Sequence, residues 1–424
     1  MKYFVLIPDG AADEPQDSLG GKSPLEYASI PTLDRLATQG MVGLTNHVPD
    51  SFNPGSEVAC MSLMGYDPLT YFTGRAPLEA AAKGISLGPE DWAVRCNLVT
   101  IEDQGDGPVM VDFTADHIAT PEATELLETA QQGLAKDFPD LKGWEFVPGV
   151  SYRNLLLFRG NVGGHCDLGD GLRTTAPHDR VNQLISDAFP RGTGSRLLTE
   201  IMEHSETWLK DHAVNRSRKS KGLGIATHVW LWGAGQRPAF RTFKSLYGVQ
   251  GTMITAVDLL RGLAELAGWR CREVEGATGY LDTDYAAKGQ AAIDEFSESD
   301  LVCVHVEAPD EAGHEGNALA KVKALEEIDE KIVAPVISHL EQQASNGEPY
   351  RVFVCPDHPT FCSTRMHSRG LVPFIIAGIG VDGMSAQSYD EKAVAIGPTI
   401  TQGSTLIGTL FDDAEGQLNP DTVN

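Results

Sequence analysis

Residues 2–10 read KYFVLIPDG, an unbroken apolar run that stops at Pro-Asp-Gly. A segment apolar on both faces suits a central strand of a parallel sheet, covered by helices on either side. Two later stretches repeat the pattern, LVCVHVEAPD at 301–310 and RVFVCPDH at 351–358. Each is a β-branched run that ends at an acidic residue. Between them, ALAKVKALEEIDEKIVAPVISHL at 318–340 has the apolar spacing of a helix. Another helix is expected over ITAVDLLRGLAELAGW, 254–269, followed by a strand-like REVEGAT at 272–278. Strands alternating with helices in this way predict a doubly wound α/β sheet.

The middle of the chain has a different texture. From about Asp91 shorter strands are expected (WAVRCNLVTI, SYRNLLLFRG and THVWLWGAG) among Gly- and Asp-rich turns. Helical segments are interleaved at TPEATELLETAQQGLA and GSRLLTEIMEHSETWLKDH. The organisation read from this is an α/β domain made of residues 1–90 and 237–424, interrupted by a smaller α+β domain at 91–236. At 424 residues, two domains are also what chain length predicts. The basic run RSRKSKG, from Arg216, reads as a helix end and its loop, with an anion-attracting lip as the alternative. QLNPDTVN, at 417–424, reads as a polar tail.

Composition sets limits on function. Apolar residues make up 42% and charged residues 22%, as in globular proteins. The net charge of -26 argues against a nucleic-acid partner, since nothing offsets phosphate repulsion over a broad surface. A small phosphorylated substrate stays compatible, because a few arginines and bound cations can reverse the sign inside one pocket. No stretch approaches the length of a membrane span, and the first apolar run is too short for a signal peptide. Seven scattered cysteines, never in a CxxC spacing, favour a reducing compartment, so the cytoplasm is expected.

Reactive crevices of open α/β sheets lie at the carboxyl ends of the strands. Asp9, Asp310 and Asp357 fall there, with His314 in PDEAGHEG, His358 in PDHPT and His367 in RMHSRG close behind. Carboxylates with imidazoles and no thiolate form the ligand set of manganese, zinc or magnesium-class sites. These six groups are too many for one catalytic ion with an open position. They suit two ions that clamp the attacking and leaving oxygens of a phosphoryl displacement. His305, inside VCVHV, reads instead as an internal group satisfied by hydrogen bonds. SFNPGSEVACMSLMG, 51–65, places Ser56 at the start of a helical run, where free amides favour an arriving phosphate. A cation on its hydroxyl would make Ser56 a nucleophile; a plain N-cap serine is the alternative.

Together PDG at Asp9, PGSEVA at Ser56, PDEAGHEG, PDH and His367 resemble the alkaline phosphatase superfamily. MGYDPLTYFTGRAPLEAAAKG, VSYRN, APHD, VEAPDEAGHEGN and PDHPTFCSTRMHS resemble, within it, a bacterial branch of the archaeal-type, cofactor-independent phosphoglycerate mutases. The likeness runs from the first strand to about residue 380. It implies an alkaline-phosphatase-like core sheet interrupted by a substrate-binding domain, and two divalent metal ions: manganese foremost, or magnesium, zinc or cobalt. One would be held by Asp310, His314 and His367, the other by Asp9, Ser56, Asp357 and His358. Ser56 would take the phosphoryl group of 3-phosphoglycerate, and the retained glycerate would take it back on its other hydroxyl. Arg75, Arg153 and the His178–Asp179 pair are candidates for binding substrate, as are Arg237, Arg241 and Lys244. The glycerate-contacting motifs of mutases with a larger inserted domain find no residue-by-residue match here.

Other functions keep the same site. A hydrolase would use these groups with an open cleft, and some members of the branch carry a homoserine kinase label. No GxxxxGK[ST] loop or protein-kinase motif set is present for ATP. A non-enzymatic scaffold would be expected to lack some ligand, and none of the set is missing.

Overall fold

The computed structural model describes residues 1–411 apart from 165, 167 and 170. The polar tail read at 417–424 lies outside the described residues. The chain forms two compact units, Met1–Phe72 with Ala239–Asn424, and Thr73–Pro238.

The first unit is built on an eight-stranded mixed sheet. Its strands lie in the order Thr399–Ile400, Met41–Thr45, Val372–Gly378, Tyr350–Val354, Lys2–Pro8, Leu301–Val306, Gly251–Ile254 and Arg270–Arg272. The opening strand sits between the two segments that repeat its pattern, parallel to both, with Tyr3 opposite Leu301 and Lys2 opposite Tyr350. Strand alternation sends Phe4, Leu6, Val302, Val304, Val352 and Val354 into one core with Leu325, Ile332, Val336 and Ile337. Val5, Ile7, Cys303 and Phe353 point the other way and are buried as well. Helices Asp258–Leu266 and Gly403–Leu410 pack on that face. Both faces are covered, and the sheet is doubly wound.

Three expected elements shift. The helix read over 254–269 is Asp258–Leu266, because Gly251–Ile254 is captured as a strand beside Leu301–Val304. The strand read at REVEGAT is Arg270–Arg272, where pairing with Thr252–Ile254 ends it. The helix over 318–340 runs as Ala318–Ile328, a π-helical turn Asp329–Val333, and Ala334–Ser345. The wide turn accommodates Pro335, which has no N–H for the helical ladder.

The second unit has a five-stranded antiparallel sheet. Trp92–Asp103 pairs with Arg153–Phe158, Pro108–Asp112 and His228–Gln236, and Trp144–Val150 lies beyond Arg153–Phe158. Helices Thr120–Asp137 and Ser195–Leu209 bury Leu126, Leu127, Leu198 and Ile201 against Val94, Cys96, Leu98 and Trp230. The unit begins at Thr73 and not near Asp91, because helix Arg75–Ala82 packs Ala76 and Ala80 against Ala93, Leu155 and Leu157.

The basic run is the end of helix Ala213–Ser220, with Arg218 turned inward. Its guanidinium reaches Glu122 Oε2 at 2.5 Å, Gly224 O at 2.7 Å and the carbonyls of Ala115 and Asp116 at 2.8 and 3.3 Å. Ala115, Asp116 and His117 all hold left-handed backbones, with φ of 49, 56 and 46°. Such a turn is costly for residues with a Cβ and persists where the surroundings over-determine it. Arg218→Ala would strand Glu122 and release the turn, so a loss of about 3–5 kcal/mol is expected in urea denaturation. A loss below about 1 kcal/mol, the range of surface substitutions, would contradict this account.

Candidate active site

Asp9 follows the strand Lys2–Pro8 directly, and its N–H donates to Val306 O at 3.0 Å. Asp357 and His358 follow Tyr350–Val354. Asp310 lies past the strand end, in the first turn of helix Ala308–Glu315, and His314 is one turn on along the same face. His367 pairs with Thr360 in a short hairpin. Ser56 is the first residue of helix Ser56–Leu63. All seven belong to the first unit.

Gly10 makes this convergence feasible. It holds φ +60°, and its N–H donates to Asp357 Oδ1 at 3.2 Å. A Cβ here would come within 2.6 Å of Asp310 Oδ1 and 2.7 Å of Thr360 Oγ1. Gly10→Ala should therefore cost about 1–3 kcal/mol and push Asp310 out of place. Thermal unfolding checks this, and an unchanged melting temperature would contradict it.

The side chains meet in two groups. In one, His314 Nε2 lies 3.0 Å from His367 Nε2 and 3.1 Å from Asp310 Oδ2, while His367 Nε2 lies 3.5 Å from Asp310 Oδ1. In the other, Ser56 Oγ is 3.3 Å from both Asp9 Oδ2 and His358 Nε2. His358 Nε2 is 3.3 Å from Asp357 Oδ2 and 3.8 Å from Asp9 Oδ1. Asp310 adjoins both groups, since its ligand atom also falls within 4.8 Å of those of Asp9 and His358. Thr360 Oγ1 donates to Asp310 Oδ1, and its Lys321 neighbour, buried against Asp13 at 2.9 Å, donates to Thr360 O.

Further side chains outside the expected ligand set adjoin these groups. His305 Nε2 is 2.8 Å from Asp9 Oδ2 and 3.4 Å from Glu307 Oε2. Both its ring nitrogens have partners, as read from the sequence for an internal group satisfied by hydrogen bonds, and one of those partners is Asp9 of this site. Cys60 Sγ lies 3.5 Å from Asp357 Oδ2. The only sequence cue for Glu307 was its place one residue past the apolar run of 301–306.

Four buried carboxyls crowded together interact unfavourably. Burial, with repulsion from Asp357, Glu307 and Asp310, pushes the Asp9 carboxyl well above the usual range. Burial and Asp310 push Glu307 up to about 8. Burial opposes ionisation of Asp310 too, but bonds to His314 and His367 hold it well below the usual range. The same Asp310 bond pushes His314 up to about 9. Burial pushes His305 down to about 3 and lowers His358.

This donor set fits divalent cations. The ligand atoms of Asp310, His314 and His367 lie within 4.8 Å of one another, as do those of Asp9, Asp310 and His358. Among the described residues, Asp9 Oδ1 and Glu307 Oε2 are buried without a hydrogen-bond partner. Oxygen and imidazole nitrogen donors surround a concentration of negative charge that a cation would relieve.

The expected substrate-binding residues are distributed over both units. In the second, Arg75 opens helix Arg75–Ala82, 3.3 Å from Glu79 and 6.0 Å from the Trp232 ring. Arg153 is exposed at the start of its strand, over the Tyr152 ring at 5.7 Å. His178 packs edge-on against Phe113 and Trp232, with Nε2 3.8 Å from Asp179 Oδ1. Arg95, unmarked in the sequence, stacks on Trp232 at 4.0 Å and pairs with Glu79 at 2.9 Å. Arg237 is exposed near the end of this unit, while Arg241 and Lys244 are exposed in the first unit.

A family model described as 2,3-bisphosphoglycerate-independent phosphoglycerate mutase matches residues 37–215. A protein of that description from Methanothrix thermoacetophila is 45% identical over 412 residues, covering 97% of this chain and 100% of its own length. The chain belongs to the 2,3-bisphosphoglycerate-independent phosphoglycerate mutase family. A Pyrococcus horikoshii protein of known structure has TM-score 0.78 and 25% identity, covering 98% of this chain and 97% of that one. A cofactor-independent phosphoglycerate mutase from Thermoplasma acidophilum has TM-score 0.63 and 24% identity over 97% and 99% of the two chains, a likeness of fold. The motif resemblance to archaeal-type mutases of this family thus holds along nearly the whole chain.

Proposed function

We propose that the protein is a cytoplasmic phosphoglycerate mutase of glycolysis and gluconeogenesis. It would interconvert 3- and 2-phosphoglycerate through phosphoserine at Ser56. The observation that carries this reading is Ser56 Oγ at the start of its helix, 3.3 Å from both Asp9 and His358, in a chain 45% identical to a named mutase. Asp310, His314 and His367 would hold one divalent cation, and Asp9, Ser56, Asp357 and His358 the other. Manganese is the first candidate, with magnesium, zinc or cobalt as alternatives. Bound there, the cations would favour the Ser56 alkoxide and neutralise charge on the transferring phosphoryl group.

The bond from Ser56 Oγ to phosphorus forms as the bond from phosphorus to the glycerate oxygen breaks, and the proton that Ser56 gives up ends on that leaving oxygen; Asp9 Oδ2 and His358 Nε2, each 3.3 Å from Ser56 Oγ, orient the hydroxyl. The amides of the first turn of helix Ser56–Leu63 favour the phosphate that arrives on Ser56. Arg75, Arg153, His178 with Asp179, Arg237, Arg241 and Lys244 are proposed to bind the phosphate and carboxylate of the substrate. Glycerate retained by these groups then takes the phosphoryl group on its other hydroxyl. The scattered, odd-numbered cysteines favour the cytoplasm, and no described helix is long and apolar enough to cross a membrane.

Phosphorus NMR of manganese-loaded protein given 3-phosphoglycerate tests the reading. A 2-phosphoglycerate signal growing without added bisphosphoglycerate is expected. Free phosphate alone would mean a hydrolase, and phosphohomoserine formed only from ATP and homoserine would mean a different substrate.

A further inference from the structure

His305 belongs to neither proposed ligand set, yet its hydrogen bonds end on one. Strand alternation turns it away from the core that takes Val302, Val304 and Val306, and it is fully buried. Nδ1 lies 3.0 Å from Thr255 Oγ1, and Nε2 lies 2.8 Å from Asp9 Oδ2. Thr255 Oγ1 in turn accepts the N–H of Val257 at 3.0 Å. From behind, the buried Lys288 Nζ donates to His305 O at 3.2 Å.

The donors and acceptors in this chain have one consistent order. Thr255 Oγ1 can donate or accept at Nδ1 while it accepts from Val257, so the order is set at the other end of the ring. Asp9, ionised as a cation ligand must be, only accepts. His305 is thereby held as the tautomer with its proton on Nε2, which donates to Asp9 Oδ2. Ser56 Oγ lies 3.3 Å from the same oxygen, whereas Asp9 Oδ1 is buried with no hydrogen-bond partner among the described residues, His358 Nε2 being 3.8 Å away.

We infer that His305, oriented by Thr255, is a positioning residue that occupies Asp9 Oδ2 and leaves Oδ1 as the one oxygen offered to the cation. A carboxylate that gave both oxygens would take a coordination position that Ser56 Oγ needs. Groups that orient a ligand from behind in this way carry typically 10–100-fold of metal affinity. The inference rests on the two-cation reading and adds to it two residues, His305 and Thr255, that belong to neither proposed ligand set.

The test is calorimetric titration of metal-free protein with manganese chloride, for wild type, Thr255→Val, His305→Gln and His305→Ala. Thr255→Val keeps shape and the imidazole while removing the hydroxyl that bonds Nδ1 and holds the ring in place. Both it and His305→Ala should still bind two ions, one of them about 10–100-fold more weakly. His305→Gln, whose amide can still donate, should recover part of the loss. Circular dichroism of the metal-free variants should match wild type. Unchanged manganese affinity in Thr255→Val would overturn the inference. So would loss of one ion in His305→Ala, which would make His305 itself a ligand, or a lowered melting temperature with unaltered affinity, which would make its role structural. Wild-type protein that takes up no manganese would be a different failure, that of the two-cation reading beneath the inference.

Discussion

Ser56→Ala protein should fold normally, retain the cation proposed for Asp310, His314 and His367, and turn over 3-phosphoglycerate at least about a thousandfold more slowly. The expectation follows from the Ser56 hydroxyl, at a helix N-terminus and 3.3 Å from both Asp9 and His358. Its side chain is half-buried and its loss leaves no cavity of consequence, so little stability should go with it. Thermal unfolding and steady-state kinetics on one preparation separate the two effects. Turnover within tenfold of wild type would end the covalent account.

Removing the cations should have an effect as large, and a pH signature. Without them Asp9 and Glu307 are held above their usual range by burial and mutual repulsion, and Glu307 titrates near 8 in place of 4.5. A carboxyl whose folded pKa is raised contributes stability below its unfolded pKa and loses it as pH rises through the folded one. His314, raised from 6.5 to about 9 by Asp310, also gives up its contribution as pH rises. Both run the same way between pH 6.5 and 8, so the melting temperature of chelated protein should fall across that window. Cations bind the deprotonated forms, so manganese should flatten or reverse the slope and add about 2.7 kcal/mol per ion at a hundred times its Kd. Activity should vanish on chelation and return with manganese. Full activity in chelated protein, or parallel pH slopes with and without manganese, would contradict the account.

The central strands were legible because both-face apolar runs leave few alternatives, and Asp9, Asp310 and Asp357 stood out by following such runs. His305 was hidden by the same rule. Inside VCVHV it looks like any internal residue, and its partners Asp9 and Thr255 are far off in sequence, joined to it only by sheet order. Gly10 drew no reading of its own beyond closing the first apolar run, although its lack of a Cβ is what lets Asp310 approach. Strand Gly251–Ile254 went unread, and its last residue was placed in the helix read over 254–269, since four residues carry no period until a neighbouring strand pairs with them. Least legible were the surroundings of the arginines proposed to bind substrate, because an arginine's partner is set by packing. Arg75 drew attention through its Gly neighbour, whereas Arg95, in mid-strand, is the one stacked closely on Trp232.

The claim on which the account turns is phosphoryl transfer through Ser56. Manganese-loaded protein mixed with 3-phosphoglycerate, quenched in acid within a few turnovers and mapped by peptide mass spectrometry, tests it most directly. The account predicts one phosphoryl group, on the peptide carrying Ser56, and none in Ser56→Ala. An unmodified Ser56 while 2-phosphoglycerate accumulates, or phosphate on another residue, would contradict it.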